Sequence, residues 1–496
     1  MHRLYESTFT SKTGEIIPCF SANRPMHSKY SPIKEAEALT GQSSPSDYYI
    51  ILGLGGGFVP EILLNQSQNS FLLIVENSKE DIDFLKENIP QVLSFFSNKR
   101  ICICTIEDAI DNLKKTFLPV LYNNLSLIEI RSWVNENKES VSALKQQFHQ
   151  TINTLIADYS VQAHFGKIWQ SNIMKNLKHA SQEIALNFDT SKTALITAAG
   201  PTLDTKIPQI IANREKYYII ATDTTFSVLK KLNIKTDAVC SLDGQFISLE
   251  HFTDSKDFSP LYVFDLQANH NIVKKLDKEN AKIFFTRSNH PLIKYALQNQ
   301  KDFTYLESGS GTVTIQAIDF ALKAGFKNIE VIGADFSYPY NKCYAKGTYL
   351  DSIYNRSSLK IKNSQTEFCK LMYRTELFYK NKVPTTKVLQ SYKNSLIDWL
   401  NCKNLSFYEK NNTWYIKNNL SEKLICPSFD FNKFILNLKN DTEKFLSEIN
   451  TDSFKQSNLT IALFPFIAYL KNNSSNKNIS FEELVKLALQ NIVRYT

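Results

Sequence analysis

The sequence predicts an α/β chain whose mostly parallel sheets are covered by helices, followed by a mainly helical region. Short apolar runs such as Tyr48-Tyr49-Ile50-Ile51-Leu52, Thr193-Ala194-Leu195-Ile196-Thr197 and Ile329-Glu330-Val331-Ile332 alternate with stretches of helical spacing. Buried parallel strands and their crossover helices read this way. Glycine and hydroxyl-rich turns punctuate the runs, most visibly Gly53-Leu54-Gly55-Gly56-Gly57, Gly200-Pro201-Thr202 and Ser308-Gly309-Ser310-Gly311-Thr312. Apolar residues make up 43% of 496, with 33 Phe and 23 Tyr, which supplies several cores and argues against disorder.

Charge and cysteine usage narrow the class. The net charge of +8 is spread along the chain with no block of consecutive lysines, so it favours acidic ligands over nucleic acid. Eight cysteines, at 19, 102, 104, 240, 343, 369, 402 and 426, form no CxxC pair, and reduced, mostly buried thiols are expected. Cys102 and Cys104 fall on one strand face, but two thiols do not make a metal site. The opening MHRLYESTFTSKTGEIIP lacks the apolar core of a secretory signal and no apolar run is long enough to cross a bilayer. A cytoplasmic protein without membrane or nucleic-acid partners is the expectation.

In chain order, residues 1–47 read as a strand-poor lead-in. YYIILGLGGGFVPEILL then gives strand, glycine turn and helix start, and FLLIVE ends in Glu76. A carboxylate placed so can accept ribose hydroxyls, as in the first unit of a methyltransferase or dehydrogenase. The glycines do not spell GxGxxG and no catalytic motif follows, so a purely structural Rossmann-like domain stands beside the cofactor reading and is favoured. From Lys138 to Leu186 the period is helical, with Trp169, Asn172 and Asn176 on one face. A tryptophan packing two domains, with amides bonding nearby backbone, accounts for these; a ligand contact from an asparagine stays open.

The next region begins at Thr193. TALITA is a buried strand, Gly200-Pro201-Thr202 turns it toward a helix near Asp204, YYIIATD ends in Asp223 and DAVCSLD in Asp243. Carboxylates at strand ends serve ligands or cap helices, and the residues alone leave both open. PLYVFD, KIFFT and FTYLE are further strand candidates, with helices near Asn271–Leu276 and Pro291–Leu297. Glu307 to Thr348 is the organising stretch: a Ser/Gly turn before a helix, which prepares an N-terminus for an anion, then a strand with Asp335 at its end and a loop bearing Tyr338 and Tyr344. Glycines that merely permit close packing are the alternative. Beyond Thr348, NSQTEFCKLMYRTELFYKNK and TTKVLQSYKNSLIDWLNC are amphipathic helices. LSFYE and TWYIK form a hairpin, and two or three helices follow Phe431.

SGSGT, AGFKNIEVIGADFSY and CYAKGT, preceded by TALITAAGPTLDTKIPQI and YYIIATDTTFSVLKKLNIKTDAVCSLDGQ, resemble the corresponding blocks of bacterial CMP-sialic-acid sialyltransferases. They look still closer to the motility accessory factor (Maf) flagellin glycosyltransferases. The resemblance covers Thr193 to Thr348 and implies four regions: an accessory Rossmann-like domain (1–135), a helical connector (136–190), a sialyltransferase-like catalytic domain (191–350) and a mainly helical domain (351–496). It implies a CMP-activated nonulosonic acid, such as pseudaminic or legionaminic acid, as donor. Flagellin Ser or Thr would be the acceptor in support of flagellum assembly and motility, with no tightly bound cofactor and no metal.

Carried over residue by residue, Gly200, Pro201, Thr202, Asp223, Asp243, Ser310, Gly311 and Thr312 are donor-site residues, and Tyr338 and Tyr344 assist departure of the phosphate. Asp223 stands where the sialyltransferases usually have asparagine. Their catalytic histidine falls after the tyrosine loop, whereas this chain has none beyond His290. Asp335 and Asp243 are the substitute bases, with His270 and His290 in the same region. Archaeal 6-hydroxymethylpterin diphosphokinases share the motif blocks, and there Asp223, Asp243 and Asp335 would hold Mg²⁺ for ATP chemistry. A catalytically silent flagellin-binding factor is the third reading.

Overall fold

The computed structural model describes every residue except 1–2, 22–23, 185, 253–258, 309–311, 362, 421, 449–456, 475–478 and 496. Two compact units result: residues 1–164 with 467–481, and residues 165–466 with 482–496.

In the first unit, β1 (Ser7–Thr10), β2 (Ile16–Phe20) and β3 (Arg24–Pro25) form an antiparallel sheet, so the segment expected to be strand-poor is paired. The signal was hidden because β1 is mostly exposed and shows no apolar alternation. Helix α1 (Pro32–Gly41) follows, with Ser31 as N-cap and Pro at its first turn. The second sheet is parallel throughout. Its strands are β4 (Tyr48–Leu52), β5 (Phe71–Glu76), β6 (Ile101–Thr105) and β7 (Leu125–Glu129), in the order β6-β5-β4-β7. The crossovers hold α2 (Phe58–Gln66), α3 (Lys79–Asn88) and α4 (Ala109–Thr116); α5 (Arg131–Glu136) follows β7. Every residue of β4 is buried, which explains its unbroken apolar run. The 42-residue α6 (Lys138–His179) begins in this unit and ends in the second.

The second unit is built on an eight-stranded sheet of order β12-β11-β10-β9-β8-β13-β17-β16. Its parallel part comprises β8 (Thr193–Thr197), β9 (Tyr217–Thr222), β10 (Ala238–Ser241), β11 (Leu261–Asp265), β12 (Ile283–Thr286) and β13 (Asn328–Ile332). Between these strands run α7 (Leu203–Ala212), α8 (Asp223–Lys231), α9 (His270–Lys278), α10 (Pro291–Ala296) and α11 (Val313–Lys323). The chain steps outward from β8 to β12 and then returns to β13 on the other side of β8. That reversal opens a crevice between the carboxyl ends of β8 and β13, where open α/β sheets bind ligands.

FTYLE contributes only an isolated bridge between Arg287 and Tyr305, because Thr304 spends its amide and hydroxyl on Ile425. The remaining segment is mainly helical: α12 (Tyr349–Arg356), α13 (Ser364–Met372), α14 (Lys387–Cys402), α15 (Phe431–Glu448), α16 (Asn458–Asn473) and α17 (Phe481–Val493). It also carries two hairpins. β14 (Phe378–Lys380) pairs with β15 (Val383–Thr385), and β16 (Ser406–Lys410) pairs with β17 (Thr413–Lys417). The second hairpin joins β13 antiparallel and extends the central sheet, a long-range pairing that local pattern does not reveal.

Candidate functional site

A cavity of about 470 Å³ lies at the crevice between β8 and β13. The turn after β8 supplies Gly200 and the turn after β13 supplies Asp335, while Thr312 opens α11 and Tyr338 and Tyr344 come from the following loop. Residues more than a hundred positions apart in sequence thus border one space. Gly200 donates its N–H to the Gly333 carbonyl at 2.8 Å, and a Cβ at Gly200 would collide with that oxygen and with the Asp335 carboxylate. This close approach of two backbones is what glycine permits here.

Asp335 is tied to the same turn. One carboxylate oxygen accepts the Thr202 N–H at 2.9 Å and the other accepts the Thr202 hydroxyl. Burial pushes the Asp335 carboxyl above the usual carboxylate range, and the bonds from Thr202 oppose that shift. Phe336, next in chain, has φ of 49°, an unusual conformation for a bulky residue. Its carbonyl accepts from the Thr385 hydroxyl at 2.9 Å and from Gln390 Nε2 at 3.2 Å. Tyr338 N–H donates to the Pro384 carbonyl at 2.8 Å, and Ala345 N–H to the Ala199 carbonyl at 2.9 Å. The tyrosine loop is therefore held from both sides. Burial raises the Tyr338 hydroxyl, with nearby Arg374 pulling it back down, and raises the Tyr344 hydroxyl as well.

Asp223 and Asp243 do not border this cavity. Asp223 begins α8, accepts the Thr224 N–H at 2.7 Å and the Ser241 hydroxyl at 2.8 Å, and is buried. Asp243 accepts the Gln245 N–H at 2.8 Å; burial first, and the Asp223 charge after the backbone bond, set its raised carboxyl. His251, a residue the motif reasoning passed over, is buried, stacks edge-on to Tyr349 at 4.4 Å and lowers Asp243 by its charge. Among the described residues no three His, Cys, Asp or Glu side chains converge as metal ligands. Pro201 is buried beside Thr202 in the turn before α7. Ser310 and Gly311 lie outside the described residues.

His270 and His290 have other employment. His290 accepts the Leu292 N–H at 3.2 Å as the cap of α10, and burial depresses it to about 3. His270 contacts Asn176 Oδ1 at 3.2 Å, and burial, then His179, lower it to about 4. Asn172 Nδ2 donates to the carbonyls of Gly244 and Gln267, both at 3.0 Å, and Asn176 Nδ2 to those of Leu266 and Ala268 at 3.0 and 2.8 Å. The two amides clasp the turns that follow β10 and β11. They fix the backbone on which Asp243 sits. Trp169 packs edge-on to His290 at 5.7 Å.

Motif reasoning also missed the wall of the cavity beyond residue 350, where Arg374, Thr386, Leu389 and Tyr392 line the space. The available signal was a basic residue just beyond an amphipathic helix.

The glycine loop of the first unit is filled by its own chain. Side chains of Met26, His27 and Trp133 pack against Gly53 and Gly55, and the Gly56 N–H donates to His27 Nε2 at 3.0 Å. Fully buried Glu76 accepts from the N–H groups of Leu54, Gly55 (3.3 Å) and Asn77 (3.3 Å), from Trp133 Nε1 (2.9 Å) and from the Tyr5 hydroxyl (3.1 Å). The carboxylate that could have met a ribose is spent internally.

Residues 169–341 match the family described as 6-hydroxymethylpterin diphosphokinase MptE-like. An uncharacterized protein of Treponema pallidum (strain Nichols) is 31% identical over 142 residues, 28% of this chain and 68% of that protein. A second from the same organism is 27% identical over 234 residues, 47% of this chain and 75% of that protein. The chain belongs to the MptE-like family through its segment 169–341, which contains the motif blocks that carry the resemblance to the Maf proteins except CYAKGT, which begins at Cys343. Among solved structures, the MAf glycosyltransferase from Magnetospirillum magneticum AMB-1 aligns over 100% of this chain and 91% of its own, with a TM-score of 0.49 and 14% identity. No helix among the described residues is long and apolar enough to cross a membrane.

Proposed function

We propose that the protein is a glycosyltransferase that moves a nonulosonic acid from a CMP-activated donor to a serine or threonine hydroxyl of flagellin. One observation carries the reading: both motif blocks that resemble the sialyltransferases converge on a single cavity at the strand-order reversal, bordered by Gly200, Thr312, Asp335, Tyr338 and Tyr344. In the reaction the acceptor oxygen forms a bond to the anomeric carbon while the bond from that carbon to the phosphate oxygen breaks. CMP departs with the electron pair, and the hydroxyl proton passes to a base. Tyr338 and Tyr344 have phenolic hydroxyls at the cavity to donate to the leaving phosphate. Asp335 is the candidate base. Its raised carboxyl is a better proton acceptor than an ordinary carboxylate, and each oxygen engaged by Thr202 keeps capacity for a second bond.

The test is intact-mass analysis of flagellin incubated with the protein and CMP-pseudaminic or CMP-legionaminic acid. A mass increase of one sugar, lost with Asp335→Ala or Tyr344→Ala while flagellin binding persists, supports the reading. Unchanged modification in both variants sinks the site.

A second reading, pterin diphosphokinase chemistry with ATP and Mg²⁺, is favoured by the name of the matched family. Formation of AMP from ATP and 6-hydroxymethylpterin would decide for it.

A further inference from the structure

The geometry points to Arg374 as the residue that grips the oxyanion of the donor at this cavity, a role that rests on the proposed donor but extends to any nucleotide phosphate. Arg374 follows α13 and is the one Lys or Arg among the described residues lining the space, just as Asp335 is its one acidic residue. Its guanidinium has no hydrogen-bond or ion-pair partner among the described residues, and its charge reaches the Tyr338 hydroxyl. A free guanidinium beside a phenol makes a donor set for phosphate or carboxylate oxygens, and its planar fork binds either in two-pronged fashion. The start of α11 adds to it. Thr312 borders the same cavity, makes no side-chain cap, and its buried hydroxyl oxygen has no hydrogen-bond partner among the described residues. Helix N-termini attract anions, and the start of α11 and Arg374 border one space.

Two oxyanions could occupy it, the nucleotide phosphate and the carboxylate of the sugar. Binding is measured by calorimetry on the full chain and on Arg374→Gln and Arg374→Lys. The ligands are CMP, cytidine, N-acetylneuraminate, ATP with Mg²⁺ and adenosine. Expected is a loss of about tenfold to a hundredfold in CMP affinity for Arg374→Gln, with cytidine binding unchanged and partial recovery in Arg374→Lys. Loss confined to N-acetylneuraminate would assign the guanidinium to the carboxylate and also support the inference. Equal affinity of wild type and Arg374→Gln for every anionic ligand overturns it. Wild type that takes ATP and not CMP refutes the proposed donor, and Arg374 is then judged on ATP against adenosine. Wild type that binds no anion overturns both. Arg374 is exposed, so an unaltered thermal midpoint accompanies the variant and separates lost binding from lost fold.

Discussion

Replacing Glu76 with glutamine tests whether the first unit has closed its own nucleotide-type site. The buried carboxyl is pushed from 4.5 up to about 7, chiefly by burial, against the opposing bonds from Leu54, Trp133 and Gly55. An acid whose folded value is raised holds its proton more tightly in the folded state. Its contribution to stability is therefore complete below pH 4.5 and is lost as the pH rises to about 7. The two values differ by about 2.5 pH units, each unit worth about 1.4 kcal/mol, so the loss is about 3 kcal/mol. Glutamine does not titrate. The stability difference between wild type and Glu76→Gln should shift by about 3 kcal/mol in favour of the variant between pH 4.5 and 8.

Amide hydrogen exchange at Leu54 and Gly55, whose N–H groups bond this carboxylate, reads the local opening free energy once intrinsic rates are divided out. A difference that stays constant across the pH range would show that Glu76 does not titrate there and would refute the reasoning. CMP binding by Glu76→Gln should match wild type, because the carboxylate serves only its own chain.

Thr202→Val removes a hydroxyl that donates to Asp335 and should cost about 1.5–3 kcal/mol in chemical unfolding. It should also move the acid limb of the transfer rate to higher pH, since that bond lowers the Asp335 carboxyl. Tyr344→Phe, if its hydroxyl stabilises the leaving phosphate, should lower kcat by about 10²-fold with KM little changed. Asn176→Ala abandons two buried carbonyls, at Leu266 and Ala268, and should destabilise the second unit by about 2–4 kcal/mol, read by urea unfolding.

The central parallel strands were legible because they are short, apolar and buried on both faces, as at Ile50-Ile51 and Ile219-Ile220. The strand-end turns were legible for a related reason: Gly200 and Asp335 sit where the backbone must turn toward a helix or a ligand. What could not be read is what arrives from far along the chain. TWYIK reads as a strand, but its register against β13 is a tertiary choice. FTYLE has the composition of a strand and yet bonds to Ile425, because composition does not specify a partner. Arg374 and Tyr392 carry no motif and reach the cavity only through the hairpin and helices that precede and follow them. Glu76 shows the converse. Its position after a glycine loop suggests ribose recognition, and the structure gives that carboxylate five internal donors instead.

The most direct measurement is calorimetric titration of the full chain with CMP and CDP, set beside ATP with Mg²⁺ and S-adenosylmethionine. Binding selective for the cytidine nucleotides and weakened by Thr202→Ala is the expected result. Binding of ATP that requires Mg²⁺, with no affinity for CMP or CDP, would contradict it.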